Sequence, residues 1–165
     1  MIAVMMGVSG SGKTTVGRVV ASKLGWRFLE GDSFHPAANV AKMAAGTPLT
    51  DADRWPWLDA IRAELEITTG RGEHVVLACS ALKEAYRQRL APTGNVRFVY
   101  LKGDQETIAA RLAQRKGHYM PPSLLASQFA TLEEPQDALV VDVKLPLDAQ
   151  VATVCHVLDA AAAGP

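Results

Sequence analysis

Apolar positions along this chain follow two alternating rhythms. Ile2–Met6 is an unbroken apolar run, which predicts a short strand buried on both faces. Beyond a glycine-rich turn, Val16, Val19, Val20 and Leu24 recur at helical spacing, and Gly25 marks the stop of that helix. Arg27–Leu29, His74–Ala78 and Val96–Leu101 predict three further strands, and Ala138–Val141 a fifth. Asp104 is placed to cap a helix that carries Ile108 and Leu112 on one face. Asp148 is placed to cap a last helix, with Val151, Val154, Cys155 and Leu158 as its buried stripe. Such alternation predicts an α/β fold in three layers. A parallel sheet of about five strands would carry helices on both faces, within one domain.

Two stretches break the rhythm. Gly31–Pro56 is polar and rich in Gly and Pro around one short helical piece, Ala37–Ala45. Arg115–Ser123 begins basic and continues into Tyr119-Met120-Pro121-Pro122. Long irregular segments in compact α/β domains serve as substrate loops and lids, so the chemistry is expected there.

Composition narrows the classes. The chain has 165 residues, 48% of them hydrophobic, and its 17 Lys and Arg balance 17 Asp and Glu. That is globular rather than disordered composition, and no basic excess points to nucleic acid or a membrane surface as partner. Cys79 and Cys155 form no Cys-x-x-Cys pair, so neither a zinc site nor a disulfide framework is expected. No basic segment precedes the apolar start and no apolar run reaches bilayer length, so the expected setting is the cytoplasm.

The densest chemistry lies in Gly7-Val8-Ser9-Gly10-Ser11-Gly12-Lys13-Thr14, which matches GxxxxGK[ST] at every fixed position. Glycines let such a loop wrap until its backbone N–H groups point at phosphate oxygens. Lys13 can reach the β- and γ-phosphates, the Thr14 hydroxyl can ligate Mg²⁺, and the following helix adds its positive dipole end. Gly7, Ser9, Gly10, Ser11, Gly12, Lys13, Thr14 and Thr15 are therefore candidate nucleotide contacts. A guanine-reading Asn-Lys-x-Asp is absent, since Leu101-Lys102-Gly103-Asp104 lacks the Asn. The strand His74–Ala78 ends in Cys79-Ser80 rather than in the acid of a motor ATPase. A small-molecule kinase is favoured over both.

On the acceptor side, Glu30-Gly31-Asp32 follows the second strand, at the sheet edge where open α/β folds bind ligands. Transfer to an alcohol needs a carboxylate that takes the hydroxyl proton, and Asp32 is the candidate, with Glu30 supporting Mg²⁺ through water. The segment Gly31–Leu58 carries Asp32-x-x-His35-Pro36, Asn39-x-x-Lys42-Met43, Pro48-Leu49-x-Asp51-x-Asp53-Arg54 and Pro56-Trp57-Leu58. Further on come Cys79-Ser80-Ala81-Leu82-Lys83, Lys116-Gly117-His118-Tyr119-Met120-Pro121, Gln128-Phe129 and Leu132-Glu133-Glu134-Pro135. In this combination the chain closely resembles the gluconate kinase family, from the phosphate loop to Pro135.

The resemblance implies a fold like that of shikimate and nucleoside monophosphate kinases, and transfer from ATP to the 6-hydroxyl of D-gluconate. It implies that Asp32 deprotonates that hydroxyl, that His35 and Arg54 lie in the acceptor pocket, and that the protein is a homodimer. An arginine fork suits the carboxylate of gluconate, and Asp32, His35, Ser80 and Gln128 can serve its hydroxyls. Trp55 and Trp57 are expected to pack, and Met43 to be buried on a helix closing over the site. Taken alone, Arg54 could equally be a surface partner of Asp51 or Asp53. Arg111, Arg115, Lys116 and His118 form the densest basic cluster, expected in a lid over about 115–123 with Arg115 and then Arg111 at the phosphates and His118 touching either substrate. The alternatives are a kinase of the same fold for another hydroxy acid such as shikimate, and a P-loop binding module with little turnover.

Overall fold

In this computed structural model, residues 1–91, 95–115 and 121–164 are described. Five strands form one sheet, β1 (Ile2–Met6), β2 (Arg27–Glu30), β3 (Val75–Ala78), β4 (Val96–Lys102) and β5 (Leu139–Asp142), in the order β2-β3-β1-β4-β5. All neighbouring pairs are parallel. The helices are α1 (Lys13–Leu24), α2 (Ala37–Ala44), α3 (Asp51–Gly70), α4 (Glu84–Leu90), α5 (Gln105–Ala113), α6 (Pro122–Thr131) and α7 (Leu147–Ala162).

The apolar run of β1 supplies both faces of the sheet, as a two-residue repeat dictates. Ala3 and Met5 join Val16, Val20, Val151, Val154 and Leu158 in the core beneath α1 and α7. Ile2, Val4 and Met6 join Trp57, Leu58, Ile61 and Leu65 in a second core beneath α3. The strands end abreast, Met5 pairing with Ala78 and Ala78 with Glu30. The segments after β1, β3 and β2 therefore emerge side by side at one edge.

Three local readings change. The stretch Gly31–Pro56 is less irregular than expected, because α3 begins at Asp51 and runs through Pro56. Thr50 and Asp53 close a reciprocal capping box at its start. A proline inside a helix costs about 3 kcal/mol. Burial of Trp57, Leu58, Ile61 and Leu65, each 2% exposed or less, outweighs it at roughly 1.5–3 kcal/mol per large apolar side chain. Asp148 is not the cap of α7. Pro146, with a non-helical ψ of 148°, holds that position, and Asp148 lies in the first turn where its charge suits the dipole. In the segment Arg115–Ser123, α6 already starts at Pro122.

Candidate active site

The loop between β1 and α1 is shaped by positive φ at Gly7, Gly10 and Gly12. At Gly10 a Cβ would also lie 2.9 Å from the Leu112 side chain, so α5 packs directly onto the loop. The first turn of α1 has neither a side-chain cap nor an acidic residue, which leaves its N–H groups and dipole for an anion. The Lys13 ammonium donates to the Val8 carbonyl at 2.9 Å, which keeps it over the loop. Burial holds Lys13 below the usual ammonium range, with the charge of Asp32 opposing that shift and Arg115 adding to it. Lys13 thus lies within the fields of both Asp32 and Arg115.

Thr14 donates its hydroxyl to Glu30 at 2.5 Å. A hydroxyl oxygen hydrogen-bonded to a carboxylate across the strand ends is a hard, oxygen-only donor set, which suits Mg²⁺ with its water shell and phosphate ligands. Among the described residues no group of three or more His, Cys, Asp or Glu could hold a metal ion on its own. The Ser11 hydroxyl is buried without a hydrogen-bond partner among the described residues. Cys79, on the floor between the strand ends, is pushed up to about 12 by burial and is a neutral thiol at physiological pH.

Beside the loop, Gly10, Gly12, Thr15, Arg111, Arg115, Leu145, Leu147 and Gln150 line a cleft of about 260 Å³. Arg111 donates to the Val143 carbonyl, and Gln150 donates to the carbonyls of Val143 and Leu145 at 3.3 and 2.8 Å. These bonds hold the 143–145 turn as one wall of the cleft. Gln150 was not singled out from the sequence, although it precedes Val154 and Leu158 at four-residue intervals and so stands as a polar residue in the buried stripe of α7.

On the other side of the loop, Gly31–Phe34 forms a 3₁₀ turn that projects Asp32 from the end of β2. His35 stacks on Trp57 with ring centroids 4.1 Å apart, and Trp57 donates its indole N–H to the Gly31 carbonyl at 2.8 Å. Trp57 packs, as expected, yet it also sets the plane of His35. Burial holds His35 below the usual imidazole range, with the charge of Asp32 opposing and that of Arg54 reinforcing that shift. Arg54 is not the surface partner of a neighbouring aspartate. Asp51 pairs with Lys83 and Asp53 with Lys42, while Arg54 donates to the Tyr86 hydroxyl at 2.9 Å with its guanidinium 5.3 Å from the ring centroid. Tyr86 in turn donates to Asp51. Met43 is only half-buried.

Ser80 follows β3, and its carbonyl accepts from the Gly7 amide at 3.2 Å. The next residue, Ala81, has a positive φ of 46°. Arg87, itself 3% exposed, braces this unfavourable turn by donating to the Ala81 and Leu82 carbonyls. Gln128, expected at the acceptor hydroxyls, bonds to the phosphate loop. Its amide oxygen accepts from the Ser9 amide at 2.8 Å and its nitrogen donates to the Ser9 hydroxyl at 3.1 Å, so it fastens α6 to the phosphate loop. His118 and Lys116 lie outside the described residues.

Acid sensitivity follows from the α2–α3 elbow. Hydrogen bonds from Lys42 and from the Thr50 amide hold the Asp53 carboxyl at about 2. Because that lies below the ~3.9 of a free aspartate, these contacts contribute fully above about pH 4 and are lost as pH falls towards 2. The Thr50 amide resonance, whose proton goes to Asp53 Oδ2 at 2.9 Å, is expected to titrate with a midpoint near 2. A midpoint near 4 would mean that Lys42 does not hold this carboxylate in solution.

A phosphate loop at the head of α1, carboxylates at the adjoining strand end and arginines across the nucleotide cleft define the class as a P-loop kinase. Comparison with known proteins agrees. The family model described as an AAA domain matches residues 2–135. A gluconokinase of Gluconobacter oxydans is 52% identical over 135 residues, covering 81% of this chain and 76% of that protein. The thermoresistant gluconokinase of Escherichia coli K12 is 45% identical over 162 residues, covering 95% and 93%. A solved gluconokinase structure from Sinorhizobium meliloti 1021 superposes with a TM-score of 0.82 at 45% identity, over 95% of this chain and 94% of that one. The chain belongs to the gluconokinase family.

Proposed function

We propose that this protein transfers the γ-phosphoryl group of ATP to the 6-hydroxyl of D-gluconate, giving 6-phospho-D-gluconate and ADP. The observation that carries the reading is that the phosphate loop after β1 and the turn bearing Asp32 after β2 meet at one sheet edge, where Thr14 donates to Glu30. Asp32 accepts the hydroxyl proton as the oxygen attacks the γ-phosphorus, and the bond from that phosphorus to the β-bridging oxygen breaks. Lys13 and Arg115 face the negative charge spread over the transferring group, with Arg111 beside Arg115 in the same cleft. Thr14, and Glu30 through water, would hold the Mg²⁺ that accompanies ATP and neutralises charge on its phosphates. The Arg54 guanidinium, backed by Tyr86, takes the gluconate carboxylate, while Ser80 is at hand for a hydroxyl.

The reading includes one kinase domain, with the acceptor segment over about 31–58 and a lid over about 115–123 to which His118 belongs. It also carries the cytoplasmic setting and homodimer expected above. Shikimate or a related hydroxy acid is the competing acceptor, and relatives named gluconokinase favour gluconate.

A coupled ADP-release assay against a panel of sugar acids and shikimate decides between them. Gluconate is expected to give the highest kcat/KM. Preference for shikimate would overturn the acceptor, and no acceptor-stimulated turnover would overturn the kinase reading. Arg54→Ala is expected to raise the gluconate KM about ten- to hundredfold, the worth of a hydrogen bond to a charged group. The ATP KM should stay close to wild type. An unchanged gluconate KM would remove Arg54 from the pocket.

A further inference from the structure

Asn39, in the first turn of α2, lies four positions after His35, and the bonds it makes bear on where the histidine proton sits. Its side-chain Nδ2 is 2.9 Å from the Asp53 carbonyl oxygen and 3.2 Å from His35 Nδ1. A carbonyl oxygen only accepts, so the end of the amide facing it is the NH₂ rather than the oxygen. An NH₂ only donates, so His35 Nδ1 is the acceptor and carries no proton. The single ring proton of His35 is therefore on Nε2.

The surroundings are built to keep it there. Asn39 is 3% exposed and is the one buried residue of α2. Burying an amide there costs free energy unless its hydrogen bonds are made, and the two bonds from Nδ2 meet that cost. Trp57 fixes the plane of the imidazole by stacking, and Asn39 fixes its rotation within that plane. Burial and the charge of Arg54 disfavour a second ring proton, and Asp32 opposes them only in part.

We propose that Asn39 is a positioning residue for the phosphoryl acceptor. By occupying Nδ1 it makes His35 a fixed hydrogen-bond donor through Nε2, selective for an oxygen that accepts. This rests on Asp32, His35 and Arg54 forming the acceptor pocket. It divides their labour: His35 and Arg54 donate, to a carboxylate or to hydroxyl lone pairs, and Asp32 alone takes a proton. His35, next to the reacting carboxylate, is thereby excluded as the base.

Two measurements test it. A long-range ¹H–¹⁵N correlation spectrum of the wild-type protein is expected to show His35 with a bare Nδ1 and a protonated Nε2 at neutral pH. A protonated Nδ1 would overturn the proposal, and this arm needs no acceptor, so it stands apart from the identity of the substrate. The second arm is a double-mutant cycle, run with whichever acceptor turns over in the ADP-release panel. Asn39→Leu is expected to raise the acceptor KM about three- to tenfold, the worth of one ordinary hydrogen bond, with the ATP KM unchanged. In a His35→Ala background the same substitution should have no effect on that KM. An equal loss in both backgrounds, or none in either, would show that Asn39 does not act through His35.

Discussion

Asp32→Asn is expected to lower kcat by about 10²–10⁴-fold, the usual contribution of a positioned general base, while nucleotide affinity stays close to wild type. The amide keeps the volume of the carboxylate and can still touch a hydroxyl, but it cannot take the proton as the oxygen attacks. The affinity half of the prediction is equally diagnostic. Asp32 projects from the turn after β2, whereas the proposed ATP site is the loop after β1 and the cleft that Arg111, Arg115 and Gln150 line. Lys13→Ala provides the contrast: Lys13 sits on the phosphate loop and within the field of Asp32, and on the proposed reading its loss should damage binding and turnover together. Stopped-flow or calorimetric ATP binding beside steady-state turnover separates the two. If Asp32→Asn lost ATP affinity as far as it lost kcat, Asp32 would belong to the nucleotide site.

The second large effect is structural. Gly31 stands between Glu30 and Asp32, and a Cβ there would lie 2.4 Å from the Ala78 carbonyl oxygen. The obstacle is the backbone of the neighbouring strand, which cannot rotate away as a side chain would. Gly31→Ala must therefore push β2 from β3 at the end of their ladder, where Glu30 pairs with Ala78. It also disturbs the Gly31 carbonyl that anchors Trp57 and, through it, His35. Overpacking of this kind costs about 3 kcal/mol, or roughly 6–12 °C in Tm for a chain of this length. A shift of about 1 Å at Asp32 would lower kcat on the order of 10²-fold besides. A variant with wild-type Tm and kcat would mean that the strands do not approach so closely in solution.

Legibility in the sequence tracked how local each feature is. The strand runs, the Gly25 stop and the Asp104 cap are each written within a few residues, and the structure has them: Gly25 in the left-handed region, and Asp104 accepting from the Thr107 amide. The reading faltered where a local rule competes with packing. Pro56 looked like a boundary, yet the apolar residues on the inner face of α3 outweigh its lost hydrogen bond. Asp148 looked like a cap, yet Pro146 had already set the backbone for entry into α7.

The amino-acid sequence by itself determined the phosphate loop and the alternation that places it after the first strand. Both depend on residue types at short fixed spacing. It also marked Asp32, His35 and Arg54 as residues suited to an acceptor, by their chemistry and by resemblance. Only the tertiary structure decided what these groups face. Gln128 meets Ser9 from 119 positions away, Arg54 meets Tyr86 rather than its neighbouring aspartates, and Asn39 meets both His35 Nδ1 and the Asp53 carbonyl. Such pairings follow from how helices settle on the sheet. A contact across that distance needs only complementary donors and acceptors, and leaves no periodic trace along the chain.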